Sequence, residues 1–369
     1  MKIAMIVNNY PPKVGGVEFH VENLARELAQ LGHKVWVLDI SATPGTRHEQ
    51  NVTVITRKAH LPIADVITIP ALGTTRKIAK FLTEQQIDVV STHTRFFPMS
   101  FVGLRAAKLA NIPILHTEHG SGFVATKNPI IWTGSRFVDI TVGKYVLKKA
   151  TKVLGVSEAV TQFVKRLANV DATVFYNAIT PPQLNIKSDD RLNHLVFVGR
   201  IVPGKGWDVF INAVAQLRKE GFEVDGELLG DGADLATARS LIQKHGLEKD
   251  LQAPGRVSQQ EVRQRIAGAT LVNPTVLSEG FQTTLVEAIA ERGRVVTFPV
   301  PGAQMLVTKK APVLISKERT TDSLVASLRS MLLHPLPQAQ LEIYQDLTWP
   351  AQARKYASIC GALIQRQSQ

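Results

Sequence analysis

The chain has 369 residues, with 43 Lys+Arg against 31 Asp+Glu and a formal net charge of +12. That length is too great for one small domain, and 44% hydrophobic with 20% charged residues excludes a disordered chain. A single cysteine, Cys360, excludes a disulfide framework and a Cys-based zinc ribbon, and no stretch reaches the ~18 uninterrupted apolar residues of a membrane span.

The N-terminal run Ile3–Val7 is too short for a secretion signal, and no small-residue cleavage site follows it, so a cytoplasmic location is expected. Positive charge is concentrated in the first half. Residues 1–180 hold 21 Lys+Arg and 12 Asp+Glu, whereas residues 181–369 hold 22 and 19. A basic first half suits a phosphate-rich partner. Aromatics are only 6%, and no nucleic-acid motif accompanies the charge. The expected partner is therefore an anionic membrane touched peripherally on its inner face, not nucleic acid.

In chain order, Ile3–Val7 reads as a buried strand. Val17, Val21, Leu24, Leu28 and Leu31 then recur at helical spacing until Gly32 stops the helix. Further strand-type runs are Val35–Leu38, Val52–Ile55, Ile87–Val90, Ile112–Leu115 and Val153–Val156, most of them separated by helical patterns. Such alternation predicts a parallel sheet covered on both faces. Residues 176–193, with Pro181-Pro182 and Asp189-Asp190, read as a linker. The pattern then restarts with a strand at Leu195–Val198 and a helix over Trp207–Lys219. A strand ending at Leu228-Leu229, a helix to about His245, a capping box at Ser258 and Glu261, and strands at Leu271-Val272 and Val295-Val296 complete it. The expectation is two doubly wound α/β halves, with ligands beyond the carboxyl ends of the strands in a cleft between them.

Four elements carry chemistry. Gly15-Gly16-Val17 opens the first helix, where glycine lets backbone approach a ligand and helix N–H groups meet an anion. Gly199-Arg200 through Gly204-Lys205-Gly206 sits between a strand and a helix, placing two cations where a diphosphate would lie. It matches G-x-x-x-x-G-K, but Gly206 replaces the hydroxyl that a P-loop uses to hold magnesium, which argues against an ATPase. Glu279 and Glu287 are eight apart, flanking Phe281, Gln282 and Thr283 at an expected helix start, so both carboxylates and the backbone N–H groups can serve one ligand. Finally, His116 and His119 close the strand at Leu115. Their spacing of three admits a metal pair, but no third ligand lies nearby in sequence and no Asp-x-Asp element follows a strand, so no metal site is expected.

In this order these motifs resemble the family 4 retaining glycosyltransferases (group 1 glycosyltransferases) of the GT-B fold. Tyr10-Pro11-Pro12, Gly15-Gly16-Val17-Glu18, Gly199-Arg200 to Lys205-Gly206, Gly230-Asp231-Gly232 and Glu279 to Glu287 all fall in register, and Thr348-Trp349-Pro350 resembles the start of the family's last helix. The resemblance implies an N-terminal Rossmann-like acceptor domain over 1–180 and a nucleotide-sugar domain over 181–348. Residues 349–369 would form a helix packing back on the first domain. It also implies a hexosyltransferase that moves sugar from a UDP- or GDP-linked donor to a lipid-linked or polysaccharide acceptor of cell-envelope type, with retention and without a metal or other cofactor.

Residue by residue, the resemblance assigns Arg200 and Lys205 to the donor diphosphate and Glu287 to the ribose. Glu279 and the backbone of Phe281, Gln282 and Thr283 go to sugar and phosphate, Val257 to the nucleobase and Gly16 to the phosphates. His119 is assigned to the reacting centre with Glu279, His116 being the second choice. Gly15, His93 and Arg95 are expected near the acceptor. Two departures fall on the sugar side: Arg292-Gly293-Arg294 stands where the family has Gly-x-Pro, and Pro301-Gly302-Ala303-Gln304-Met305 replaces a Gly-Gly…Glu element. A sugar-nucleotide epimerase of the same architecture is the alternative, and a basic nucleic-acid binder a more remote one.

Overall fold

A computed structural model describes residues 1–13, 15–49, 51–63, 67–124, 128–182, 189–277 and 279–367. The chain divides into two compact units, Met1–Ala178 with Trp349–Gln369, and Ile179–Thr348. Most of the expected linker core, residues 183–188, lies outside the described residues.

The strands of the first unit are β1 (Lys2–Ile6), β2 (Lys34–Ser41), β3 (Gly45–Glu49), β4 (Val52–Ile63), β5 (Ile67–Pro70), β6 (Val89–His93), β7 (Ile114–Glu118), β8 (Lys152–Gly155) and β9 (Thr173–Val174). Among the described residues they form one sheet in the order β3-β4-β2-β1-β6-β7-β8-β9, with β5 also on β4. β1 pairs in parallel with both β2 and β6, Ile3 lying opposite Val35 on one side and Val89 on the other. Both sheet faces are buried, which explains why β1 reads as an unbroken apolar run and not as an alternating one. Ile3 and Met5 pack with Val21, Leu24, Leu28 and Tyr356 on one face. Ala4 and Ile6 pack with Ile78, Leu82 and Leu104 on the other. The closing helix Trp349–Gln367 thus belongs to the core of the first unit, beside the first helix Gly16–Gln30.

The expectation of a purely parallel sheet is corrected at one edge. β3 and β5 are both antiparallel to β4. Only residues 50 and 51 connect β3 to β4, and a parallel return needs a dozen or more residues.

The second unit holds β10 (Arg191–Val198), β11 (Asp225–Leu229), β12 (Leu251–Gly255), β13 (Ala269–Asn273), β14 (Arg294–Thr297) and β15 (Val313–Ile315), all parallel, in the order β12-β11-β10-β13-β14-β15. The strand order reverses beside β10, so the loops after β10 and β13 flank a topological switch point, where ligands of such sheets bind. Helix Trp207–Lys219 presents Phe210, Ile211 and Val214 to this sheet. Both hydrogen bonds of the expected capping box form: Ser258 Oγ accepts from Glu261 N at 3.2 Å, and Glu261 accepts from Ser258 N at 2.8 Å.

Candidate active site

In the second unit, the loop after β10 is shaped by glycine. A Cβ on Gly230, at φ +148°, would lie 1.8 Å from the Gly199 carbonyl oxygen, so the turns Gly199–Ile201 and Gly230–Gly232 pass at backbone distance. Ile201 N donates to Asp231 O at 2.9 Å across them. Arg200 stands exposed between these turns. Gly206, at φ +84°, starts helix Trp207–Lys219, and a Cβ there would meet the Pro274 carbonyl oxygen at 2.3 Å. Val276 N donates to Gly204 O at 2.9 Å, tying this loop to the segment that follows β13.

That tie delivers Lys205 to Glu279, with Nζ donating to Oε1 at 2.5 Å. Both side chains are mostly buried, at 15% and 26% exposure, so the pair sits in a medium where charge counts for more than in water. The helix that follows runs Thr283–Ala290, and Gln282 is its N-cap without a side-chain cap bond. The buried Gln282 Nε2 has no hydrogen-bond partner among the described residues. An amide donor without an acceptor at a helix N-terminus that has no side-chain cap suits an anionic ligand. Phe281 is buried, its ring against Gly302, where a Cβ would approach to 2.7 Å.

One turn into the helix, Glu287 is buried and accepts from Gln259 Nε2 at 3.5 Å. Burial pushes its carboxyl above the ordinary range, opposed by Arg263. Arg263 is engaged with the next acidic group, donating from Nε to Glu291 at 2.7 Å. Gln259 opens the helix after β12, so the half-buried Val257, two residues earlier, comes to the same end of the unit as Glu287. Lys205, Glu279, Gln282 and Glu287 are thus joined through contacts and one helix, and Gln259 joins them unforeseen.

In the first unit, Gly15 caps helix Gly16–Gln30, and a Cβ there would strike Glu18 Oε2 at 2.2 Å. Gly16 is exposed, and a Cβ would meet nothing within 4 Å. A side chain at Gly15 would therefore displace only the Glu18 carboxylate, and one at Gly16 nothing.

His119 follows β7 and lies in a cluster of imidazoles. His93 Nδ1 is 3.2 Å from His119 Nε2, and the His20 and His119 rings are 4.7 Å apart, edge to face. Behind them, His93 Nε2 meets Ser91 Oγ at 2.9 Å, which meets the Tyr356 hydroxyl at 2.6 Å. His20 Nδ1 donates to Asn177 Oδ1 at 2.8 Å, leaving Nε2 a buried acceptor with no partner among the described residues. One nitrogen from each of His20, His93 and His119 lies within 4.8 Å of the others, a set of the type that binds divalent transition metals.

His116, the second choice for the reacting centre, is not a member of this set. Successive residues of a strand point to opposite faces, so His116 falls on the same side as Glu118, 3.5 Å from its carboxylate, with Nδ1 on Thr92 Oγ1 at 2.9 Å. The third nitrogen comes from the first helix.

Arg95 and His93, expected near the acceptor, are both fully buried. Arg95 donates to Glu118 at 3.0 Å, Asp139 at 2.9 Å and the Gly122 carbonyl at 3.1 Å, with its guanidinium 4.6 Å from the Phe163 ring centroid. Glu118 in turn accepts from the His119 and Gly120 amides at 3.0 and 2.9 Å. Arg95 positions the loop that carries His119. A hollow of about 330 Å³ beyond the carboxyl ends of β1 and β2, which the sequence did not reveal, is lined among others by Tyr10, Lys13, Asp39 and Arg47.

Comparison with known proteins bears on both units. Residues 14–181 match the model of glycosyltransferase family 4, and residues 181–346 that of the group 1 glycosyl transferases. The chain belongs to the family 4, group 1 glycosyltransferases. A phosphatidylinositol N-acetylglucosaminyltransferase GPI3 subunit of Saccharomyces cerevisiae is 24% identical over 345 residues, covering 89% of this chain and 75% of the yeast protein. A glycosyltransferase of Methanocaldococcus jannaschii is 23% identical over 99% of both chains. Among solved structures, sucrose-phosphate synthase from Thermosynechococcus elongatus superimposes with TM-score 0.74 at 20% identity, over 99% of each chain. Anabaena HepE in complex with UDP gives 0.76 at 17% identity, over 98% of this chain and 100% of that one. The fold is GT-B, built from two Rossmann-like domains.

The histidine cluster gives this glycosyltransferase a defined acid response. Burial lowers the affinity of all three rings for protons: His20 falls to about 4, and His93 and His119 fall well below the ordinary value. A histidine with a lowered folded pKa is protonated first in the unfolded chain, so its contribution to stability is complete above about pH 6.5 and is lost as pH falls toward the folded value. For His20 the loss runs from about pH 6.5 to about 4, at up to about 1.4 kcal/mol per pH unit. Urea unfolding at pH 7.5 and 5.0 should show this slope, and His20→Gln should flatten it. A stability that rises on acidification would contradict the buried neutral cluster.

His20 was legible only in retrospect, as a polar residue on the apolar stripe of Val17, Val21 and Leu24. Gln259 and Arg263 carried no motif at all.

Proposed function

We propose that this glycosyltransferase is a retaining hexosyltransferase that moves sugar from a UDP- or GDP-sugar to a lipid-linked or polysaccharide acceptor of the cell-envelope type. The observation that carries the reading is the Lys205–Glu279 pair three residues before the unpartnered Gln282 amide at a helix N-terminus, with buried Glu287 one turn further on. A departing nucleoside diphosphate develops negative charge. Lys205, Arg200 and the helix N–H groups supply fixed positive potential where that charge forms, so the donor reaction is assigned without a divalent cation. Glu287 takes the ribose hydroxyls, and the main chain at Val257 meets the base. Glu279 and the 281–283 backbone hold the transferred sugar.

The acceptor attacks the face that the diphosphate leaves, near His119, and neither glutamate serves as a covalent nucleophile. The hollow with Lys13 and Arg47 offers cations to the phosphate of a lipid-linked acceptor. The yeast relative, named for transfer to phosphatidylinositol, supports this acceptor class. HepE with UDP supports the donor class. The enzyme works at the cytoplasmic face of a membrane.

The test is a thermal-shift screen of UDP-, GDP- and ADP-sugars without added magnesium or manganese, followed by NMR of the stabilising donor. A donor at 100 times its Kd adds about 2.7 kcal/mol, and slow release of nucleoside diphosphate should follow. No stabilisation by any donor would sink the reading. Epimerisation of the sugar with no acceptor present would replace it with the epimerase alternative.

A further inference from the structure

We infer that helix Pro129–Val138, with the basic segment that follows it, is the part of the first domain that enters the surface of an anionic lipid bilayer. The helix contains no buried residue. Its large apolar side chains face solvent: Ile130 is 81% exposed, Phe137 64%, Ile131 48% and Trp132 45%. Ile130 and Phe137 are seven residues apart and share a face of the helix. Ile140, just beyond, is 53% exposed.

Helices in globular proteins form stably mainly by burying an apolar face, and this one buries none against its own domain. Isolated exposed apolar residues are ordinary, but five large ones within eleven residues form a patch that marks an interaction site. The charge that follows the helix in sequence selects the partner. Residues 128–152 contain Arg136, Lys144, Lys148, Lys149 and Lys152 against one acidic residue, Asp139. Asp139 is buried and held by Arg95, so it offers nothing to repel an anionic surface. The Arg136 guanidinium lies over the rings of Phe123 and Trp132, at 4.3 and 4.8 Å from their centroids. Aromatic and branched apolar residues beside lysine and arginine are the composition of an interfacial helix, whose apolar side chains reach the acyl boundary while cations meet headgroup phosphates. A hydrophobic protein partner would not need the cations, and a soluble acidic one would not need the apolar face.

The inference rests on the lipid-linked acceptor reading for its purpose but not for its test, which uses neither donor nor acceptor. The full chain is mixed with vesicles of phosphatidylcholine alone, or with a third of the lipid replaced by phosphatidylglycerol, and sedimented at low and high salt. The expected result is binding to the anionic vesicles, weakened by salt, with blue-shifted tryptophan emission. The double variant Ile130→Ser with Phe137→Ser should bind at least about tenfold more weakly with unchanged thermal unfolding, because both side chains are exposed. Leu333→Ser, an exposed apolar change in the other unit, should bind as the parent does. Failure of the parent protein to bind anionic vesicles, or equal binding by the double variant, would overturn the proposal. So would a concentration-dependent dimer abolished by the same two changes. A protein that fails here yet turns over its donor would keep its proposed function and lose only this surface.

Discussion

Replacing Lys205 with alanine is expected to lower kcat/KM for the nucleotide-sugar by about 10² to 10³, or about 2.7–4 kcal/mol of transition-state stabilisation. The size follows from position. Lys205 is 15% exposed and held against Glu279 at 2.5 Å, so its charge is fixed before reaction and costs little reorganisation. Removing it does two things. Under the proposed donor reading the diphosphate loses a donor, and Glu279 becomes an uncompensated carboxylate facing a dianionic leaving group. Lys205→Arg should restore part of the activity, since charge returns but the compact ammonium does not. Lys309→Ala is the control. That lysine is paired with Asp346 at 2.7 Å and lies outside the proposed machinery. Release of nucleoside diphosphate at varied donor concentration is the measurement. A Lys205→Ala enzyme within threefold of the parent would remove this lysine from the mechanism.

The second large effect is on stability. Arg95→Met should destabilise the protein by about 3–5 kcal/mol, the range for breaking a buried ion pair from one side. Arg95, Glu118 and Asp139 are all essentially buried. Burial alone would raise the Glu118 carboxyl, but Arg95, His116 and the Gly120 amide outweigh it and hold it well below the usual carboxylate range. The pairing therefore contributes fully above the unfolded carboxyl value near pH 4.3 and is lost as pH falls below it, a window lower than the onset of the histidine effect. Asp139 moves the other way: burial raises its carboxyl despite Arg95. Urea unfolding near neutral pH measures the loss. Adding Glu118→Gln to Arg95→Met should recover part of it, because the stranded charge is gone. A loss under 1 kcal/mol would show that this triad is not the support of the His119 loop. Because Glu118 accepts from the His119 and Gly120 amides, the folded fraction of Arg95→Met should still bind donor through the second unit while transferring sugar poorly.

The two α/β halves, their strand runs and the glycine–lysine–glutamate motif were legible because each is local. A doubly buried parallel strand must be apolar at every position, as in Ile3–Val7, and a helix start with glycine, lysine and glutamate is written over a few consecutive residues. Pairing across long sequence gaps was not legible. His119 meets His20 and His93, from a helix and a strand 99 and 26 residues earlier in the chain, while His116, three residues away, turns to Glu118 and Thr92. Arg95 at a strand end reads as a ligand-facing cation, but the loop carrying Gly122 and the helical turn that begins at Asp139 close over it. Tyr356 reaches Ser91 across 265 residues, a contact no local pattern encodes.

What the amino-acid order determined by itself is therefore the alternation of buried strands and helices, the excess of positive charge in the first half, and the cation–glycine–glutamate grammar of the second, since each depends on the periodicity and chemistry of neighbouring residues. Only the tertiary structure decided which polar side chains are buried partners and which remain exposed, because desolvation and hydrogen-bond pairing are properties of surroundings assembled from distant segments.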